Sequence, residues 1–165
     1  MSTIKANYIL DAAGGNTATI NGKLPIAIGD VPAGGTGLTL LGTIATTSGS
    51  SVTLSGLTLT PYKQLQALFT GVSATAVGPL MRINGYAFAY PTGSATTDYA
   101  VGGIIIDLAT GIFFGGSTLN NSGNTSLDFP GGGGLSGLTT ASTSITFTLS
   151  SGNFDAGSIT VYGVK

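Results

Sequence analysis

At 165 residues the chain is long enough for one domain with an arm attached. It has no cysteine, which excludes disulfides, thiolate metal sites and thiol catalysis, and its five cations, Lys5, Lys23, Lys63, Arg82 and Lys165, are too scattered for the basic face that nucleic-acid binding requires. Six aspartates with no glutamate or histidine bring the net charge to −1, and 28 glycines among many serines and threonines leave a surface weakly protected against association.

Helical periodicity is almost absent, while period two recurs between turn residues, a pattern that predicts an all-β sandwich or barrel. Residues 1–37 differ from the rest of the chain. "IKANYIL" and "TATING" suit short strands, and "GDVPAGGTG" reads as a linker because Pro32 and four glycines favour turns over ladders.

From Leu38 the pattern becomes regular. "LTLLGTIATT" and "SVTLSGLTL" predict strands joined at Ser48, Gly49 and Ser50, with Val52 and Leu54 on one face. "YKQLQALFTGV" sets Leu65, Ala67 and Phe69 against Lys63, Gln64, Gln66, Leu68 and Thr70, an imperfect half-buried strand. In "PLMRINGYAFAY", Asn84 and Gly85 mark a hairpin turn or a bulge.

The clearest hairpin is "VGGIIIDLATGIFFGGS", where two β-rich runs flank Ala109, Thr110 and Gly111. "TSLDF" reads as a short strand before the break at Pro130. "STSITFTLSSG" alternates Ile145, Phe147 and Leu149 inward against Ser144, Thr146 and Thr148, and "AGSITVYGVK" sets Ile159 and Val161 against Thr160 and Tyr162. About eight strands after residue 38 is the number of a jelly roll or similar Greek-key sandwich.

Catalytic chemistry has little to draw on, because histidine, glutamate and cysteine are missing. An aspartate pair is the remaining route. Asp98 and Asp107 fall at opposite ends of one predicted strand, Asp128 and Asp155 flank phenylalanines in predicted loops, and such isolated aspartates before turns bond their own backbone. No cluster of acids has the density of a calcium loop. "PGGGGLSG", residues 130–137, lacks the Gly-Lys-Ser/Thr ending of a phosphate loop and reads as a surface loop, and the sequon-like stretches at Asn120 and Asn124 read as turns.

No enzyme activity, cofactor or metal is therefore expected. The longest apolar run is too short for a membrane span, and the amino terminus lacks the features of a secretion signal. Tyr86, Tyr90 and Tyr99 lie close together in sequence near predicted strand ends. They suit either the core and its rim or a platform for stacking on host glycans.

"MSTIKANYILDAAGGNTATINGKLP" resembles the amino-terminal segments of bacteriophage tail-fibre and virion appendage proteins, in which this end is the attachment end. It departs from their usual pattern at Ala6, Asn7, Tyr8 and Ile9. "SGLTLTPYKQLQALFTGVS" and "AGSITVYGVK" are similar to the first and last strands of small β-sandwich domains in phage structural proteins, which are often trimeric. Together these segments cover about a third of the chain.

The resemblance implies an anchoring arm and linker over residues 1–37, with Ile4, Tyr8, Ile9, Leu10 and Ile20 as the apolar contacts, and a jelly-roll-like antiparallel β-sandwich over residues 38–165. Ordering a glycine-rich arm costs about 1 to 2 kcal/mol per residue, which a partner surface must offset, and strand addition is one way to do so. The expected role is a non-enzymatic virion protein, made in the host bacterial cytoplasm and bound to other capsid or tail proteins as a homotrimer. With no long shaft, it suits a capsid decoration or head-surface knob, or else a short tail-fibre or appendage component. The alternative is a host-surface adhesin or carbohydrate-binding, receptor-binding module using the three tyrosines.

Overall fold

A computed structural model describes residues 37–89, 96–120 and 134–165. The expectations for Ile4, Tyr8, Ile9, Leu10 and Ile20, for Tyr90, for Asp128 and for the "TSLDF" strand lie outside the described residues. Among the described residues there is no helix, and the chain forms ten strands: β1 (Leu38–Ala45), β2 (Ser51–Ser55), β3 (Gln64–Ala74), β4 (Met81–Ile83), β5 (Tyr86–Ala89), β6 (Tyr99–Asp107), β7 (Ile112–Asn120), β8 (Gly134–Leu135), β9 (Ser144–Leu149) and β10 (Phe154–Val164).

They build two antiparallel sheets, one of six strands in the order β1-β10-β3-β6-β7-β8 and one of four in the order β2-β9-β4-β5. Four pairings nest inside one another: β1 with β10, β2 with β9, β3 with β6 and β4 with β5. Successive pairs alternate between the sheets, which is the wrapping of a jelly roll. β7 and β8 then extend the larger sheet beyond β6.

Alternation along the strands decides what faces inward. Leu65, Ala67 and Phe69 of β3, Ile145 and Phe147 of β9, and Ile159 and Val161 of β10 are all buried, as the period-two pattern predicts. Phe69 stacks on Phe88 with ring centroids 5.3 Å apart, and Phe147 meets both rings edge-on. Phe113 completes the group by an edge contact with Phe88, so four aromatic rings from both sheets form the centre of the core.

Both predicted hairpins form. Asn84 and Gly85 have φ of 48° and 86°, the paired left-handed conformations that match the twist of a two-residue β-turn, so the hairpin reading holds over the bulge. Between β6 and β7, Gly111 takes φ of 70°. The Asp107 carboxylate fixes this turn, accepting hydrogen bonds from the Ala109 and Thr110 amides and the Thr110 hydroxyl at 3.0, 2.8 and 2.9 Å.

Three expectations change. The strand predicted over "SVTLSGLTL" stops at Ser55, because Gly56 turns left-handed with φ of 73° and Leu57 and Leu59 enter the core from a loop instead. Asp155 lies in β10, not in a loop, and accepts a hydrogen bond from the buried Ser73 hydroxyl. Part of "PGGGGLSG" is β8, not a loose surface loop, since Gly134 and Leu135 pair with Phe113 and Ile112.

The reason is contact with the body of the domain. The buried Ser136 donates from its amide and hydroxyl to the Gly111 carbonyl, Asn84 Nδ2 donates to the Ser136 carbonyl, and a Cβ on Gly134 would sit 3.0 Å from the Phe113 ring.

Candidate functional site

Asp98 and Asp107 do not form a carboxylate pair. Asp98 precedes β6 and Asp107 ends it, so about nine residues of extended chain, roughly 30 Å, separate them. Among the described residues no three side chains of the histidine, cysteine, aspartate and glutamate type are grouped closely enough to hold a metal ion.

Asp107 instead has the role expected of an aspartate before a turn. The Thr110 amide and hydroxyl, with the Ala109 amide, hold its carboxyl below the ordinary aspartate value against a small opposing effect of burial. A depressed folded-state value means that its contribution to stability is present above the unfolded value and is lost as pH falls through the folded one. Asp107→Asn is therefore expected to lose some stability at neutral pH and to show a flatter decline on acidification, which thermal melts across the acid range will read.

The tyrosines separate. Tyr86 is 48 % exposed and its Cβ lies beside Gly134 of β8, close to the Phe113 ring at the start of β7. Tyr99 is 37 % exposed and pairs with Asn120, at the far end of the β6-β7 hairpin. Because Phe113 pairs with Ile106, seven residues along β6 from Tyr99, the two tyrosines are about 20 Å apart. Closeness in sequence does not bring Tyr86 and Tyr99 onto one sugar-stacking platform.

What does assemble is a surface. On the outer face of the four-stranded sheet, Thr53 and Thr146 share a hydroxyl-hydroxyl hydrogen bond of 2.9 Å amid Ser51, Ser55 and Thr148. That is an ordinary solvated face. The outer face of the six-stranded sheet differs in kind.

One row across it runs Leu40, Tyr162, Gln66, Ile105 and Phe114, and the next runs Thr43, Thr160, Leu68, Gly103 and Gly116. Leu135 pairs with Ile112 beyond Phe114, and both are exposed. The only charged side chains in the six strands are Asp107 and Asp155, toward opposite ends of the sheet.

Where Gly103 and Gly116 pair, the face has no side chains and dips. The open hollow there, of about 250 Å³, is lined by Gln66, Leu68, Gly103, Ile105, Phe114 and Gly115. Its lining of apolar groups, one amide and bare backbone suits the burial of an apolar side chain. Phe114, 53 % exposed, stands beside it as a knob.

Alternation alone does not reveal this face, although the sequence carries a signal of it. Leu68 breaks the polar side of β3, and the runs "GIII" and "GIFF" are apolar at consecutive positions. Such runs belong to strands covered on both faces, not on one.

No protein-family model, characterised protein or solved structure matches the chain.

Proposed function

We propose that this chain is a non-enzymatic structural protein of a bacteriophage particle, either a capsid decoration or head-surface knob or a short tail-fibre or appendage component. In this reading residues 1–37 anchor it along a neighbouring virion protein and the jelly roll projects as a homotrimer. One observation carries it: a wide outer sheet face almost free of charge, on a domain whose described residues group no three metal-ligating side chains. A face of that kind favours coverage by protein over exposure to water. The opening "MSTIKANYILDAAGGN" supports the phage context.

Antibody labelling of intact particles is expected to mark the head or tail surface, and the chain lacking residues 1–37 is expected to remain folded without binding particles that lack the protein. Equal binding by the shortened chain would overturn the anchoring role. The adhesin reading keeps two separate supports, the exposed Tyr86 of β5 and Tyr99 at the start of β6. Glycan binding lost in Tyr99→Ala would favour it.

A further inference from the structure

We propose that the outer face of the six-stranded sheet is the interface between copies of this chain, centred on Phe114 and the hollow beside it. The inference rests on the reading of the chain as an assembling structural protein, and it names the surface through which that assembly occurs. Three features of the face select a second copy as its occupant.

The first is area. Five of the strands have eight residues or more; at about 4.8 Å apart they span roughly 19 Å, and eight residues at about 3.3 Å each give roughly 26 Å. The footprint is thus about 500 Å² before pleating and side chains enlarge it. That approaches the roughly 800 Å² per partner of a stable protein interface.

The second is charge. Interfaces between unlike proteins commonly match opposite potentials, and the strands of this face offer only Asp107, two residues along β6 from Ile105, and Asp155 toward the far end. Contact between copies brings like groups near one another, so a face with so few charges can meet another copy with little repulsion.

The third is shape. The same surface bears a knob, formed by Phe114 with Ile112 and Leu135, and a hollow floored by Gly103. The glycines that form the hollow are held in place by the backbone itself. A Cβ at Gly115, whose φ is 142°, would lie 2.2 Å from the Gly103 carbonyl oxygen, so the close β6-β7 approach excludes any larger residue there. Each copy can then offer Phe114 to the next and receive one in return.

Sedimentation of the full chain across the micromolar range tests this. The unaltered protein is expected to associate, and Phe114→Lys and Ile105→Glu are expected to weaken association at least about 100-fold by burying an unpaired charge. Thr146→Lys, on the opposite sheet, is expected to leave it unchanged.

The absence of cysteine gives a second measurement that does not depend on tolerating a charge. Ile105→Cys is expected to form covalent links between copies on oxidation, and Thr146→Cys is not. A monomeric unaltered protein, association unaffected by both charged variants, or cross-linking through Thr146→Cys alone would each overturn the proposal. A dimer that depends on this face upholds the interface and overturns the threefold arrangement. Loss of particle binding with association intact bears on the anchoring role alone.

Discussion

Gly157→Ala is expected to lose more than about 3 kcal/mol of stability, a large share of the roughly 5 to 15 kcal/mol that holds a domain of this size together. Gly157 lies in β10 with φ of 91°, a conformation that costs a residue with a side chain about 1 to 3 kcal/mol. Space is the larger obstacle. A Cβ there would lie 2.3 Å from the carbonyl oxygen of Gly71 and 2.6 Å from the amide nitrogen of Val72, both in the backbone of β3.

No side-chain rotation relieves such a clash, so β3 and β10 must part where both are irregular in register. The same bend anchors the end of β1. The Gly157 carbonyl accepts the Thr46 amide at 3.0 Å, and the Ala156 carbonyl accepts the Thr46 hydroxyl at 2.6 Å. Gly56→Ala separates the two contributions, because Gly56 has φ of 73° with open space where its Cβ would be. Urea denaturation is expected to show the smaller loss for Gly56→Ala, and equal losses would sink the close-approach account.

Phe69→Ala is expected to cost roughly 3 to 5 kcal/mol. The ring is buried, stacks on Phe88 at an interplanar angle of 23°, and meets Phe147 edge-on at 6.2 Å. Removing it takes one wall from each of two aromatic contacts and leaves a cavity between sheets that rigid strands cannot readily close. Phe69→Leu keeps most of the volume and is expected to cost less than half as much. A denaturation midpoint for Phe69→Ala within error of the unaltered protein would contradict the central place given to this cluster.

Alternation made much of the fold legible. In β9, Ile145, Phe147 and Leu149 are separated by hydroxyl residues, and only one face can be buried. The two hairpins were equally readable, since left-handed glycine or Asn-Gly turns are local chemistry. Pairing across the sheets was not. That β1 lies against β10, and β2 against β9 in the other sheet, depends on contacts between residues 89 or more positions apart that local patterns do not encode.

The candidate site suffered for the same reason. Tyr86 and Tyr99 are thirteen positions apart in sequence, yet Tyr86 lies in the smaller sheet beside the turn end of the β6-β7 hairpin and Tyr99 at that hairpin's open end. The apolar outer face was visible only as an irregularity, with Leu68 on the polar side of its strand and no free side in "GIIID" or "GIFF". Recognising it requires knowing that β3, β6 and β7 are neighbours, because only then do Leu68, Ile105 and Phe114 become one surface.

The position of β10 has a consequence for how the domain is made. Its eleven residues follow every other described strand in sequence, yet they lie between β1 and β3 in the larger sheet. A nascent chain that has not yet released Phe154 from the ribosome has no strand to join β1 to the rest. β3, β6 and β7 can pair before then, but β1 joins their sheet only once β10 has emerged, so the larger sheet is completed late.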